Sequence, residues 1–436
     1  MICRDPYGYA LTCTPEAATA YSRGVLDLLR LRAGAERSVA AAVTLDPTFA
    51  LGHATLALLG HELCAAIDVP GRLRDALRHA PRATTRERSH VQAVAAHLRG
   101  DSGPLVRHLT AYPRDAVLLS TAVPTIAFAG VTEVPEEAWA IVERAVPAYG
   151  DDWWFTGLLA FVRQEQRRFD EAMELSCRSL EVEPGAGHSA HARAHAHYET
   201  GDHQAGLAWM DGWVTGDGAS IESLSHFSWH AALHELSLGD LAAVRRRYDA
   251  QLRPEHGLGC RALVDTGSLL FRWAITPDAF GVPEMAVVAD VAGRDTLERP
   301  ATPFLGLHAA VALLALGDTT GLAALAAWAR QHRHPVQREV VAPLAEALRL
   351  MASGRSGAAA DALAALTPQV RRLGGSDAQR EVVEEARIAA LLRSDRFEEA
   401  RTLLDDRLDR RRSPRDERWR QECTAPGGAE LLLRLS

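Results

Sequence analysis

The feature that most constrains this chain is a helical repeat punctuated by small residues. From Trp153, small and aromatic residues fall at Gly157, Ala160, Phe169, Ala172 and Ser179, and Pro184 closes the stretch. A period of ~34 residues brings the next unit to Gly187, where Ala194, Gly201 and Asp202 take the small and turn positions. The segments HFSWHAALHELSLGD (His226–Asp240) and PFLGLHAAVALLALGD (Pro303–Asp318) each read as a first helix ending at a Gly-Asp turn. AAAVTLDP (Ala40–Pro47) ends an early unit, ERSHVQAVAAHLRGD (Glu87–Asp101) opens another, and RFEEARTLLDDRL (Arg396–Leu408) is a late second helix. Three Gly/Pro-bearing stretches, Gly212–Ser220, Arg253–Gly259 and Asp278–Pro303, are predicted to be loops between helix pairs. The expectation is one all-α domain over 1–436, with its clearest repeats at 153–186 and 187–214.

Histidine is distributed unevenly on this scaffold. Eight of the 18 histidines fall between His188 and His234. His191, His195 and Glu199 recur at i, i+4, i+8, and so do His226, His230 and His234. At about 100° per residue, each set forms a stripe on one helix face. His197 falls on the face opposite His195, where a packing role explains it.

Composition removes whole classes of function. A net charge of −8 argues against a dedicated nucleic-acid binder, whose footprint is basic. The one dense basic run, Arg407–Arg420, is interleaved with Asp405, Asp406, Asp409, Asp416 and Glu417 and reads as a solvated helix end. All 48 basic residues are arginine; without lysine there is no Schiff base and no phosphate-loop lysine. No GxGxxG precedes a helix. No organic cofactor is expected. The six cysteines are widely spaced and form no CxxC, which suits reduced, mostly buried thiols. The N-terminal stretch lacks a signal-peptide core, and the longest apolar runs, such as Leu307–Leu316, are too short to span a bilayer. A cytoplasmic protein that does not contact the membrane is expected.

The repeat matches the tetratricopeptide pattern, and the chain resembles the tetratricopeptide repeat protein 38 family from Tyr21 to the arginine-rich tail. The motifs carrying the resemblance are TTRERSHVQA (Thr84–Ala93), YPRD (Tyr112–Asp115), HARAHAHYETG (His191–Gly201), LSHFSWHAALHELSLGD, LVDTGSLLFR (Leu263–Arg272) and PFLGLHAA (Pro303–Ala310). The resemblance implies a right-handed superhelical solenoid and a cytoplasmic location, and no settled activity. A long array of this kind can curl until its ends approach around a central pocket. In GGSDAQRE (Gly374–Glu381), Asp377 stands where the family has His or Asn, and Glu381 replaces its usual Asp. In such repeats the first helix lines the concave groove. Counted from Gly187, the lining positions are His188, His191, His195, Tyr198 and Glu199. The preceding unit places Trp154, Gly157 and Phe161 there, and the unit from Arg86 places Glu87, His90, Val94 and His97.

These residues admit catalytic, metal-binding and structural readings. As catalysts, His191, His195 and His230 would pass protons near neutral pH, with Glu199, Asp265 or Glu235 as orienting carboxylates. His90, Trp154, His188, Tyr198, His226, Trp229, Arg272 and His308 would line the ligand site. Zinc is the metal alternative, since two histidines at i, i+4 have ligand spacing; the set would be His191 and His195 with His226, or with His230 or Glu199 as the third ligand. Structurally, the histidines would hydrogen-bond within helix packing. Asp265 lies in an apolar run and needs a partner, either Arg272 or a groove histidine. Arg114 and Asp115 would pin a loop to the next helix.

Two functions follow. In the first, the groove binds and transforms a small polar metabolite by histidine acid–base chemistry, as an isomerase, lyase or hydrolase. In the second, the chain is a scaffold holding a peptide. Grooves that clamp acidic peptide ends use lysine, arginine and asparagine, whereas this wall carries histidine and carboxylate, which favours the first.

Overall fold

The computed structural model describes residues 2–62, 67–123, 135–219, 224–256 and 260–424. Their regular structure is helical apart from a short antiparallel pair, Cys3–Arg4 with Ala10–Leu11. Among the described residues, no helix is long and apolar enough to cross a membrane.

Short polar side chains set the helix starts. The Thr84 hydroxyl accepts from Glu87 N at 3.2 Å while the Glu87 carboxylate accepts from Thr84 N at 2.9 Å, so each residue satisfies the other's exposed N–H. Asp152, Asp240 and Asp318 each accept from the backbone N–H three residues on. The Gly-Asp pairs work as two-part punctuation. Gly239 and Gly317 take the left-handed conformation, φ +77° and +64°, that ends one helix, and the aspartate caps the next. Leu224–Leu238 is thus followed by Leu241–Arg247, and Pro303–Ala315 by Thr319–Gln331.

The two clearest predicted units are helix pairs. Trp153–Glu165 with Phe169–Val182 and Gly187–Glu199 with His203–Thr215 start 34 residues apart in both their first and second helices. A side chain at Gly157 would collide with Ser189. Ser179 ties in as well: its hydroxyl donates to Trp153 O at 2.6 Å and lies 2.5 Å from the Ser189 hydroxyl.

Two loop expectations are corrected. Gly212–Thr215 is the last turn of a helix, held by buried Trp213 and Val214. Within Asp278–Pro303, short helices Met285–Ala292 and Arg294–Glu298 form because Met285, Val288 and Leu297 have a core to enter. In the third stretch, Pro254–His256 makes a single 3₁₀ turn, and residues 257–259 lie outside the described residues.

Contacts divide the chain into two compact units. The first comprises Met1–Arg193 with Thr215–Ser223, the second Ala194–Val214 with Leu224–Ser436. Tyr21, Phe49, Leu58, Val91 and Leu118 are buried in the first; Tyr21 meets Phe49 edge-on at 5.1 Å and its hydroxyl reaches Thr55 at 3.2 Å. The core of the second gathers Trp229, Leu263, Trp273, Leu307, Leu348 and Trp419. Three of its segments are π-helical turns, Tyr248–Leu252, Ala262–Gly267 and Gln337–Val341, each accommodating an extra residue in the helical ladder.

The arginine run is only in part a solvated helix end: Arg410, Arg412, Arg418 and Arg420 are exposed. Arg407, Arg411 and Arg415 are buried. Arg407 donates to Asp416 at 2.8 Å and to Glu381 and Glu384 at 2.9 Å each; Arg411 reaches Glu381 and Arg415 reaches Glu385. Helical spacing turns Arg407 inward with Ala400 and Leu404, onto carboxylates at and within the helix Val382–Leu392. The cysteines also differ from expectation. Cys3, Cys13, Cys177, Cys260 and Cys423 are free thiols with partial exposure; Cys64 lies outside the described residues.

Candidate functional site

In the second unit, the helix Leu224–Leu238 buries His226, His230 and His234, the predicted stripe. His226 Nδ1 lies 2.8 Å from Asp265 Oδ1, and Asp265 is carried by the π turn Ala262–Gly267. An ionised carboxylate only accepts, so Nδ1 bears the hydrogen and Nε2 of the neutral ring is an acceptor. His230 Nε2 approaches that acceptor at 3.2 Å and donates to it. The tautomers follow from this hydrogen-bond logic. The result is a chain running Asp265, His226, His230.

Aromatic and cationic groups surround the chain. The His195 ring stands edge-on to His230 at 4.5 Å between centroids. Trp229 stacks on His226 at 5.3 Å, with the Arg272 guanidinium 6.0 Å from the Trp229 ring. His308 enters from the helix Pro303–Ala315, packed edge-on to Phe304 at 4.7 Å. Both of its ring nitrogens are buried with no hydrogen bond among the described residues. Burial holds His308 down to about 3; Asp265 opposes that shift, and Arg272 and His226 add to it. Burial likewise holds His195 down to about 3, helped by His226 and Arg380. Both rings are therefore neutral at pH 7. An unsatisfied buried polar group costs about 1–3 kcal/mol, so two on one imidazole call for an explanation.

The partner of Asp265 is a histidine and not Arg272. Arg272 donates to Ala378 O at 2.6 Å and pairs with Glu385 at 3.2 Å. Two anticipated orienting carboxylates are taken by arginine: Glu235 accepts from Arg247 at 2.8 and 3.0 Å, and Glu199 from Arg411 at 3.1 Å. Tyr198 joins that arginine network, donating to Glu381 at 2.9 Å. Burial pushes Glu381 up, but Arg407, Arg411 and Arg272 together outweigh it and hold the carboxyl well below its usual range. Asp377 instead pairs with Arg380 at 2.6 Å. His234 turns to a different partner: His203 Nε2 donates to Arg412 O at 2.9 Å and His203 Nδ1 accepts from His234 Nδ1 at 3.0 Å.

No family model matches the chain.

The first unit holds the other predicted residues. His188 meets Trp154 edge-on at 6.5 Å; both His188 nitrogens lack a hydrogen bond among the described residues, and burial holds the ring down to about 4. His191 stacks on Phe161 at 5.1 Å. His97, counted on the same wall, bonds Glu62 and Ser102 at 2.8 Å each. His90 belongs to a cluster that groove counting does not reveal. Asp115 Oδ2 accepts from His90 Nδ1 at 2.8 Å, His108 Nε2 at 3.0 Å and Arg86 Nη2 at 2.7 Å. Arg86 and His90 stand one turn apart on the helix Thr85–His97, a spacing that marks a shared face. Asp115 was legible only as a helix cap, which it also is, toward Leu118 N.

Metal binding was weighed on residue type and spacing. Ligand atoms of His90, His108 and Asp115 lie within 4.8 Å of one another. A guanidinium on the same Asp115 oxygen occupies and electrostatically opposes a cation's place there. Of the third zinc ligands anticipated, His226 spends Nδ1 on Asp265 and Nε2 on His230, and Glu199 accepts from Arg411. Surface clefts lined by Thr19 and Arg23, and by Leu109 and Ile141, hold no histidine.

Proposed function

We propose that the second unit holds a small polar metabolite against the Asp265–His226–His230 chain and transforms it by proton transfer. The observation that carries this reading is the buried hydrogen-bonded chain itself, with His308 beside it bearing two unsatisfied nitrogens. A proton accepted at His230 Nδ1 is relayed from His230 Nε2 to His226 Nε2. The imidazolium formed on His226 is balanced by Asp265 at 2.8 Å. Reversal returns the proton to another atom of the bound molecule, which is the need of an isomerisation, an elimination or a hydrolysis. His308 and His195, neutral at pH 7, supply hydrogen bonds without adding charge, and Trp229 supplies a flat wall.

Burial favours a small ligand over a peptide: His226, His230, Asp265, Arg272 and His308 are each at most 4% exposed. The reading needs no organic cofactor, in keeping with a lysine-free chain. The same proposal takes the helix pairs as a tetratricopeptide-like superhelix similar to the tetratricopeptide repeat protein 38 family, in a reducing cytoplasm. Its support is the 34-residue spacing of paired helices and the quoted motifs. Native mass spectrometry of the full chain tests the function. A small molecule retained by the wild type and lost in His226→Gln and His230→Gln is expected. An empty wild type, with variants that only melt earlier, would leave these histidines a packing role.

A further inference from the structure

We infer that the first unit contains a separate ligand site, built on Arg86, His90 and Tyr149 and suited to a neutral amide carried on a flat or apolar group. It does not depend on the histidine chain of the second unit.

The inference starts from Asp115, which is fully buried and holds three donors on one oxygen. By taking Nδ1–H of His90, Asp115 fixes the neutral tautomer and leaves Nε2 as a bare acceptor. That Nε2 is buried and finds no partner among the described residues. Arg86 spends Nη2 on Asp115 at 2.7 Å and on Asp5 at 3.3 Å, but its Nε and Nη1 donors, also buried, find none. The Tyr149 hydroxyl and the Trp154 indole N–H are in the same condition. Tyr149 belongs to the same neighbourhood: its ring packs against Tyr7, whose backbone N–H donates to Asp5 at 3.0 Å, the carboxylate that also faces Arg86. Native interiors rarely leave so many polar atoms unsatisfied together.

The unsatisfied set has a definite chemical complement. Arg86, Tyr149 and Trp154 offer donors, which want a carbonyl oxygen. His90 offers an acceptor, which wants an N–H. A primary amide carries both. Aromatic rings pack among these groups: Tyr9 lies 4.7 Å beneath the Arg86 guanidinium, and Tyr149 packs 5.4 Å from Tyr7 and 5.7 Å from Trp154. Charge selects against an anion, because two carboxylates, Asp115 and Asp5, already face the single Arg86 cation. The same cation opposes a metal ion on Asp115.

Isothermal titration of the full chain with primary amides from acetamide to benzamide tests this. Saturable single-site binding that improves toward benzamide and persists in His230→Gln is expected. Benzoate, which adds charge, and methyl benzoate, which lacks the N–H, should each bind at least about tenfold more weakly. Two conservative variants locate the site. Arg86→Lys keeps the ion pair with Asp115 but removes the spare guanidinium donors, and Tyr149→Phe removes only a hydroxyl. Each should lose about tenfold in affinity with the circular dichroism spectrum unchanged. The proposal is overturned if no amide in the series binds the wild type, if benzoate outcompetes benzamide, or if both variants bind as the wild type does. Stoichiometric zinc uptake abolished by His108→Gln would replace it with a metal site.

Discussion

His226 Nδ1 and Asp265 Oδ1 meet at 2.8 Å across 39 residues of sequence, one on a regular helix and the other on a π-helical turn. The first unit repeats the arrangement: His90 Nδ1 meets Asp115 Oδ2 at the same 2.8 Å, with both groups fully buried. In each case the acid comes from a different element than the histidine and fixes which ring nitrogen carries the hydrogen. The pairs differ in what the second nitrogen sees. His226 Nε2 meets another imidazole, whereas His90 Nε2 meets no partner among the described residues. π turns recur at functional sites because the extra residue re-aims a side chain, and Asp265 is aimed here at a histidine on a neighbouring helix.

Asp265→Asn separates charge from shape. The amide oxygen can still accept from His226 Nδ1, so the variant should keep its fold and melt close to the wild type. It cannot balance an imidazolium, so any bound metabolite's turnover should fall by at least about a hundredfold. Asp265→Ala also strands a buried N–H and should cost about 1–3 kcal/mol of stability. Thermal melts paired with activity on the copurified ligand distinguish the two effects. Full turnover in the Asn variant would show that the carboxylate charge is not used.

Much of the helical frame was legible because its signals are local. The Gly-Asp turns at Gly239 and Gly317 act within a few residues, as does the Thr84–Glu87 cap. The site was only half legible. The His226–His230 stripe follows from helical spacing, but the choice between Arg272 and a histidine for Asp265 turned on a π turn that 3.6-residue periodicity does not reveal. Groove counting grouped His90 and Tyr198 with the stripe, whereas the structure gives His90 to Asp115 and Tyr198 to Glu381. The arginine run was misread because interleaved charges look solvated in sequence. Whether Arg407 faces water is decided by carboxylates that fold against it, Glu381 among them.

Stability should begin to fall on acidification before most carboxylates titrate. His188, His195 and His308 are held by burial at about 4, 3 and 3, below an ordinary 6.5. Above pH 6.5 each is neutral in both folded and unfolded chains and contributes no pH dependence. Below it the unfolded chain binds protons that the folded one refuses. Each such histidine then costs about 1.4 kcal/mol per pH unit until its folded pKa is reached. Urea melts between pH 7 and 4.5 should show a falling midpoint, and a shallower fall in His308→Leu. A flat midpoint across that range would mean these rings are protonated or solvated when folded.

Arg407→Met should be the most damaging single change in the second unit's ion network. Burial pushes Asp416 up, but Arg407 and Arg415 outweigh it and keep the carboxyl below its ordinary value. Removing Arg407 withdraws the group 2.8 Å from a fully buried acid, a loss of about 3–5 kcal/mol in comparable buried pairs. The sign with pH is definite. A lowered carboxylate pKa stabilises above the ordinary value and loses that stabilisation as pH falls through the folded one. The gap between wild type and variant should therefore be widest near pH 7 and close as pH drops below about 4. Denaturant midpoints at pH 7 and pH 3 measure it; a gap that does not narrow would assign the damage to packing alone.

Gly206 and Gly212 lie in one helix, His203–Thr215, and should respond oppositely to alanine. Helix propensity alone favours alanine over glycine by about 1 kcal/mol at either position. At Gly212 an added Cβ meets nothing within 4 Å among the described residues, so that preference should appear as a gain in stability. At Gly206 the same atom would sit 2.7 Å from His234 Cε1 and 2.8 Å from His197 Cβ. His234 cannot withdraw without breaking its bond to His203, and His197 Cβ is fixed by its backbone. Gly206→Ala should therefore lose about 1–3 kcal/mol, with overpacking outweighing propensity. Thermal melts of the two single variants decide it. A stabilised Gly206→Ala would mean the His203–His234 pair yields easily, and that this pair does not set how closely the helices bearing it approach.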